Sequence, residues 1–189
     1  MEPFKRLEAV ALPIDRQNID TDQIIPARFL KKPRDKGFAN YLFHDLRSDP
    51  KFILNHPGYR GAEVIVAARN FACGSSREHA VWALYDYGIR AVISSAFSDI
   101  FQSNAVRNGM LPVVLPERVV DAILAELAAT PGGKVAVDLE TQTVTSPGGE
   151  VHYFEIDPFS RHCLREGLDE VGYTLSLEER IAAYEKRLG

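Results

Sequence analysis

Residues 63–88 read EVIVAARNFACGSSREHAVWALYDYG, and this stretch decides the fold. Its first six residues, 63–68, are a short apolar run rich in β-branched side chains, which predicts a buried strand. A glycine-containing turn follows, and the helix formers over 76–87 predict a helix that ends at Gly88, a favourable C-terminal cap. A strand, a turn and a helix in this order are typical of a parallel crossover unit.

Alternation of strands and helices continues toward the C-terminus. The sequence predicts strands over 90–94 and 111–115 and helices over 98–108 and 116–129. Pro112 places the second of these strands at a sheet edge, because proline cannot donate to a central ladder. The helix over 116–129 carries an apolar stripe that predicts packing on the sheet. The residues of this stripe are Val120, Ile123, Leu124 and Leu127.

The last third of the chain has a different pattern. Three short alternating segments, over 134–138, 143–145 and 151–156, predict hairpin-like strands. Two helices are predicted after them, one over 157–165 and one that begins at a capping box formed by Ser176 and Glu179. The final helix carries the stripe Leu177, Ile181, Tyr184 and Leu188.

Crossovers beside hairpins predict an α/β fold with a mixed β-sheet and packed helices. We expect one domain over 1–189, because this length suits a single core. Within it we expect a loop-rich substrate segment over 18–60, since the first third shows no clear periodicity, and a helical extension over 157–189.

Composition excludes several classes of protein. A net charge of −4 without a basic stripe argues against nucleic-acid binding. The sequence has no signal-peptide pattern and no apolar run near the roughly 20 residues that span a bilayer, so we expect a cytoplasmic protein without membrane contact. Its two cysteines, Cys73 and Cys163, predict reduced thiols. An iron–sulfur cluster takes about four thiolates, so another chain would have to supply one.

The turn between the first predicted strand and helix is the strongest candidate for chemistry. A helix N-terminus presents free backbone N–H groups and a positive dipole end to an anion. Gly74 allows close backbone approach, Ser75 and Ser76 add hydroxyls, and Arg77 adds a fork that fits a carboxylate. The turn therefore predicts an anion site.

Other interpretations of this turn remain open from the residues alone. Ser75 and Glu78 have the spacing of a capping box, which needs no function. Cys73 at a helix N-terminus is a possible thiol nucleophile, although buried inert cysteines are commoner. His79 lies one turn after Ser76, but the G-x-S-x-G pattern of a serine nucleophile is absent.

Two further polar segments stand beside predicted elements. Residues 18–30 (NIDTDQIIPARFL) can order a substrate loop in which Arg28 or Lys31 faces an anion, or can form an Asx-rich turn before a short strand. Residues 96–105 (AFSDIFQSNA) can line a cleft or simply cap a helix whose N-cap is Ser98.

Together these segments resemble a known family. The stretches 18–30, 70–80 and 96–104, with matches over 157–163 and 167–169, are similar to the small subunits of bacterial 3-isopropylmalate dehydratase in the aconitase superfamily. The resemblance spans nearly the whole chain. GSSREHA with TDQIIP some fifty residues upstream is far more specific than a lone glycine motif. Ala72 stands where the family usually has glycine, which implies only that this backbone position tolerates a Cβ.

The resemblance implies a fold, a reaction and a partner. The fold would be the swivelling β/β/α domain, like the aconitase C-terminal domain. The reaction would interconvert 2-isopropylmalate and 3-isopropylmalate in leucine biosynthesis, with a [4Fe–4S] cluster in a separate large subunit. Ser75 would be the base, Arg77 would clamp a substrate carboxylate, and Ser76 would add contacts.

Substrate choice needs an apolar pocket for the isopropyl group. We expect a lid over 26–42, with Phe29, Leu30, Phe38 and Leu42 beside Arg28, Lys31 and Lys32; a mobile surface loop is the alternative. A related hydro-lyase small subunit for another diacid, of the methylmalate or homoaconitate type, also remains open, because one methylene changes affinity by only about 1–3 kcal/mol. So does a non-catalytic anion-binding module.

Overall fold

The computed structural model describes residues 1–34, 37–74 and 77–188, and these residues form one mixed sheet. Its strands are β1 (Arg6–Ile14), β2 (Val64–Ala67), β3 (Ala91–Ser94), β4 (Leu111–Val114), β5 (Lys134–Asp138), β6 (Thr143–Thr145) and β7 (Val151–Tyr153). Their spatial order is β4-β3-β2-β1-β5-β6-β7. The first four strands run parallel, and β5, β6 and β7 are antiparallel. The predicted mixed α/β sheet is confirmed, and Pro112 lies in edge strand β4.

Strand β1, which lies at the centre of the sheet, is absent from the sequence-based prediction. Residues 6–10 pair antiparallel with β5, whereas residues 11–14 pair parallel with β2. The pairing with β5 ends at Val10, before Pro13. The Ala11 amide points toward the β5 side of the strand, where it donates to the Gly133 carbonyl. Alternate residues face the same neighbour, so the missing N–H of Pro13 faces away from β2 and costs no ladder hydrogen bond.

Helices cover both faces of the sheet. They are α1 (Thr21–Ile24), α2 (Glu78–Tyr87), α3 (Asp99–Arg107), α4 (Glu117–Ala129), α5 (Pro158–Glu166), α6 (Glu170–Ser176) and α7 (Glu178–Leu188). One core cluster joins α2 and α3 to the sheet face that carries Leu12 and Ile65. The other joins α4, through its predicted stripe, to the face that carries Val64 and Val66. Within the described ranges, no helix is long and apolar enough to cross a membrane.

The C-terminal helices differ from the prediction. Ser176 ends α6, a helix that the sequence did not predict, and its hydroxyl donates to the Tyr173 carbonyl at 2.6 Å instead of opening a capping box. The expected stripe is largely exposed, with Ile181 41% and Tyr184 62% accessible; the Leu188 side chain lies outside the described part. The strand predicted over 151–156 ends at Tyr153.

Gly167 holds the N-terminus against α5. Its carbonyl accepts from the Met1 amino group at 3.3 Å, and its φ is +70°. A Cβ here would lie 2.7 Å from the Met1 carbonyl oxygen and 3.0 Å from Pro3 Cδ. We therefore expect Gly167→Ala to lower the free energy of unfolding by about 1–3 kcal/mol, through the left-handed backbone and the clash. Urea unfolding of the isolated chain measures this loss, and wild-type stability would contradict it.

Candidate active site

The three polar segments meet at one edge of the sheet. Strands β1, β2 and β3 are parallel neighbours, so their carboxyl ends lie side by side. Parallel bridges between Asp20 and Cys73 and between Phe71 and Phe97 continue the pairing beyond the strands. Ligands of open α/β sheets bind outside the carboxyl ends of parallel strands. The fold thus brings together the segments that sequence analysis selected.

Backbone hydrogen bonds fix the first segment to the second. The Thr21 amide donates to the Cys73 carbonyl at 3.1 Å, and the Cys73 amide donates to the Ile19 carbonyl at 3.0 Å. The Asn70 side-chain amide donates to Asn18 Oδ1 at 2.8 Å. These pairs hold the start of α1 against the turn over 70–77.

Backbone strain is concentrated in the same place. Asn18, Asn70 and Ala72 have φ values of 56°, 64° and 58°, although none is glycine. Asparagine tolerates the left-handed region, whereas alanine adopts it at a cost of roughly 1–2 kcal/mol. Ala72 is fully buried, so packing maintains this conformation. Strained residues held by their surroundings are typical of functional sites.

Helix α1 begins with a capping box. Asp20 Oδ1 accepts from the Gln23 amide at 2.7 Å, and Gln23 Oε1 accepts from the Asp20 amide at 2.9 Å. The Asx turn predicted here is present, but it opens a helix, so the predicted following strand is wrong. The cap lets four residues form a helical turn, which leaves Asp22 exposed beside the turn over 70–77.

Arg77 is the N-cap of α2, and its guanidinium is half-buried at the surface. Its Nη1 donates to Asp22 Oδ1 in an ion pair. Within the described residues, Nε and Nη2 of Arg77 make no hydrogen bond. Gly74 is exposed and has a φ of +83°, a conformation that favours glycine. Ser75 and Ser76 lie outside the described residues.

The competing interpretations of this turn fare differently. Helix α2 begins at Glu78 with Arg77 as its N-cap, and the Glu78 carboxylate accepts from Asn108 Nδ2 at 2.9 Å. The capping-box interpretation involves Ser75 and lies outside the described residues. His79 packs on the Trp82 ring, with centroids 4.5 Å apart, and serves packing. Cys73 is half-buried and joins the two segments through its backbone.

Arg28 carries its own acidic partner. Its Nη1 donates to Asp45 Oδ2 at 2.9 Å, its Nη2 pairs with Asp45 Oδ1, and Nη2 lies 3.2 Å from His44 Nδ1. The guanidinium fork is therefore already engaged by a carboxylate. Lys31 is exposed at the surface after the 3₁₀ turn Ala27–Phe29.

The Arg28 pair has a measurable pH signature. Hydrogen bonds from Arg28, and then from His44, lower the pKa of Asp45 from 3.8 to about 2. A lowered folded-state pKa stabilises the fold above pH 3.8, and this contribution is lost as the pH falls toward 2. We expect an NMR titration of the Asp45 carboxyl to show a midpoint near 2, and Arg28→Ala to return it toward 3.8. A wild-type midpoint near 4 would show that the pair does not form in solution.

Two members of the predicted isopropyl pocket are in the core instead. Phe38 and Leu42 are fully buried and belong to the same core cluster as Ile24 and Leu84. The prediction that they line a substrate pocket is wrong, because both side chains lie in the core cluster that includes residues of α2 and have no exposed surface. Phe29 and Leu30 are half-buried, and Phe29 stacks on Tyr41 with centroids 4.4 Å apart.

The third segment supports the second. Ser98 Oγ accepts from the Phe101 amide at 3.3 Å as the N-cap of α3 and donates to the Ala72 carbonyl at 3.4 Å. The predicted cap is confirmed. The same hydroxyl ties α3 to the strained part of the turn over 70–77.

Comparison with known proteins adds a family to this geometry. The profile of the aconitase C-terminal domain matches residues 1–118, and a profile described as LeuD_N matches residues 121–158. The 3-isopropylmalate dehydratase small subunit of Acidobacterium capsulatum is 50% identical over 98% of this chain and 90% of its own length. That of Leptospira interrogans is 47% identical over 99% of this chain and 95% of its own. This chain belongs to the family of 3-isopropylmalate dehydratase small subunits.

The fold of the small-subunit family is confirmed by a solved structure. A crystal structure of 3-isopropylmalate dehydratase from Methanocaldococcus jannaschii matches with a TM-score of 0.71 and 27% identity, over 96% of this chain and 99% of that chain. Family membership makes this small subunit part of a hydro-lyase. The turn over 70–77 therefore belongs to a dehydratase.

Sequence reasoning did not find the acidic partners of the two arginines. Asp22 and Asp45 lie 55 and 17 residues from Arg77 and Arg28 along the chain. Asp22 lies inside the quoted TDQIIP motif, but nothing in its local pattern indicates which cation it meets.

Proposed function

We propose that this chain, with a large subunit in the cytoplasm, interconverts 2-isopropylmalate and 3-isopropylmalate by dehydration and rehydration in leucine biosynthesis. The proposal is carried by one observation: Arg77 is presented, with two donor nitrogens unused by described residues, at a helix N-terminus beyond the carboxyl ends of parallel strands. The family relationship supplies the substrate class.

A [4Fe–4S] cluster does not fit this chain by itself. The chain has two cysteines, and the described residues contain no group of three or more His, Cys, Asp or Glu side chains placed to hold a metal. We place the cluster in the large subunit, where its iron would act as a Lewis acid on the leaving hydroxyl. The remaining tasks proposed for this chain are to bind a substrate carboxylate and to remove a proton.

Ser75 is proposed as the base that removes the proton next to a substrate carboxylate. A neutral hydroxyl is a poor base, so its alkoxide needs stabilisation. The positive end of α2 and the backbone amides of its first turn supply that stabilisation. Arg77 donates hydrogen bonds from Nε and Nη2 to a substrate carboxylate, and Ser76 adds a hydroxyl or amide contact.

Arg28 and Lys31 are proposed to bind the rest of the dianion. Lys31 is exposed. Arg28 is paired with Asp45, so it binds the substrate either by releasing Asp45 or while the ion pair stays in place. Phe29 and Leu30 remain the apolar candidates for the isopropyl group. If the segment 26–42 closes as a lid, substrate and large subunit together protect it from proteolysis; equal cleavage with and without them contradicts closure.

The decisive experiment mixes this chain with a reconstituted large subunit. Dehydration of isopropylmalate, citrate and methylmalate is assayed with both chains and with each chain alone. We expect turnover with isopropylmalate and with both chains present. A preference for methylmalate or citrate would assign another diacid, and co-purification without turnover of any of the three would favour a non-catalytic binding module.

A further inference from the structure

We propose that a cleft beside the end of β1 is a binding site for a small α-amino acid with an apolar side chain. The cleft has a volume of about 660 Å³, within the range of about 300–1,000 Å³ that is usual for small-molecule sites. None of the described residues proposed above to bind isopropylmalate lines it. The inference therefore goes beyond the proposed function and does not depend on it.

The cleft arises from a gap in the sheet. Strand β1 pairs with β5 only as far as Val10, while its residues 11–14 continue beside β2. On the side where β5 has ended, Pro13 has no N–H that would be left unsatisfied. Pro13 and Ile14 line the cleft, and Pro131, which follows α4 on the way to β5, lines it as well. The backbone thus leaves open space where a further strand pairing would otherwise lie.

The gap is also a topological switch point of the sheet. The core side chains of the segment 15–63, which follows β1, pack on the face that carries Leu12, whereas those of α4, which leads to β5, pack on the face that carries Val64. The cleft lies between these two parts of the chain, at the carboxyl end of β1. Ligands of open α/β sheets bind in crevices of this kind.

The lining of the cleft includes a continuous choice of apolar side chains. Phe52, Tyr59 and Leu124 are buried, and Ile53 is half-buried. The Tyr59 hydroxyl donates to the Leu127 carbonyl at 3.3 Å, so the polar atom of this ring is satisfied within the fold. These side chains offer apolar surface to a hydrocarbon group, as the lining of most small-molecule sites does.

Charged side chains of both signs line the same cleft. Asp15, Arg16, Lys51 and Asp121 are all exposed there. Within the part of the chain that the structure describes, none of these four side chains makes an ion pair or a hydrogen bond. Two cations and two carboxylates therefore surround one cleft without neutralising each other, which leaves separate positions for a negative and a positive group of a ligand.

An α-amino acid matches this arrangement of charges and apolar surface. Its carboxylate can accept from Arg16 or Lys51, its ammonium can donate to Asp15 or Asp121, and its side chain can cover the apolar lining. A dicarboxylate would meet two like charges, and an uncharged apolar ligand would desolvate charged groups without pairing them. The chemistry of the cleft thus favours a zwitterion over either class.

The first test measures ligand binding to the full chain by isothermal titration calorimetry. The probes are L-leucine, L-valine, L-methionine and L-phenylalanine, with 4-methylpentanoate and 3-methylbutylamine as leucine analogues that lack the ammonium or the carboxylate. We expect at least one amino acid to bind, and its analogue without either charge to bind roughly tenfold more weakly, because a charge-assisted hydrogen bond is lost. No binding of any amino acid up to about 10 mM overturns the proposal, and so does equal affinity for 4-methylpentanoate or 3-methylbutylamine.

Variants at exposed positions locate the site. Ala125→Trp fills the cleft from α4, where Ala125 is exposed, and should weaken leucine binding roughly tenfold or more. The double variant Arg16→Ala/Lys51→Ala should weaken leucine binding roughly tenfold and leave 3-methylbutylamine unaffected, since that probe has no carboxylate. Arg118→Ala removes an exposed cation of α4 outside the cleft and is the matched control with wild-type affinity. Wild-type leucine affinity in Ala125→Trp places the ligand elsewhere and overturns the proposal.

The two-subunit complex provides the last test. We expect leucine to bind the complex with the same affinity as it binds this chain alone. Loss of binding when the large subunit is added would assign the cleft to the contact between subunits and overturn the proposal. Turnover of isopropylmalate is measured separately, so failure of the proposed function and failure of this binding site are distinguishable.

Discussion

Replacing Ser75 with alanine is expected to lower kcat of the two-subunit enzyme by roughly 10²–10⁴-fold, the usual contribution of a general base. KM for isopropylmalate should change little, because Arg77 and the proposed contacts of Arg28 and Lys31 remain. A loss confined to kcat is typical of an interaction made in the transition state.

The expected size of this effect follows from the turn that carries the serine. Gly74 and Arg77 flank Ser75 and Ser76, and Arg77 caps α2. Ser75 comes two residues before Arg77 and three before the ten-residue helix α2 along the chain. The proposed role as base uses the positive end of that helix and the guanidinium to stabilise an alkoxide. Removal of the hydroxyl leaves these positive groups in place, so binding persists while proton transfer is lost.

Ser103→Ala is the matched control, since Ser103 is an exposed serine on α3 outside the proposed site. Stopped assays at saturating isopropylmalate measure kcat for both variants against wild type. Near-normal turnover of Ser75→Ala would reject the base assignment, and an equal loss in Ser103→Ala would attribute the effect to assembly of the complex.

The parallel half of the sheet could be predicted from the sequence for a physical reason. Strands buried on both faces are continuous apolar runs, and β2, β3 and β4 each have one. The helices between them end at recognisable signals such as Gly88. Local pattern and tertiary environment agree in this region, so local reasoning succeeds.

Strand β1 could not be predicted in the same way. Its residues are mostly exposed or half-buried over 6–10, where β5 is the partner, and are buried over 11–14, where β2 is the partner. Two environments within nine residues give no single period. Pro13 adds a local signal against a central strand. The strand accommodates this proline only because the pairing with β5 has already stopped before it.

One part of the candidate site could be predicted from local sequence, and another part could not. The turn over 70–77 can be recognised from the sequence, because glycine, serine and arginine stand directly before a predicted helix. The acidic partners Asp22 and Asp45 become partners only when separate loops are placed side by side. Local sequence thus indicates which groups bind an anion, whereas tertiary structure determines how freely each can do so.

Phe38 gives the largest expected effect on stability. Phe38→Ala should lower the free energy of unfolding by about 3–5 kcal/mol, the range for a large aromatic side chain removed from a core. Phe38 is fully buried, and its ring lies 5.6 Å from the His79 ring and 5.8 Å from the Trp82 ring by centroids. Its loss would leave a cavity between the segment 37–42 and α2.

Phe29→Ala is the matched control, because Phe29 is half-buried and stacks on Tyr41 at the surface. We expect it to cost less than about 2 kcal/mol, since partly exposed apolar area contributes in proportion to what is buried. Urea unfolding of the isolated chain compares the two directly. A substrate-pocket role for Phe38 predicts the reverse pattern, with near wild-type stability and altered preference among diacids. Its burial beneath α2 favours the core role, because a side chain with no exposed surface cannot meet an isopropyl group without opening the fold.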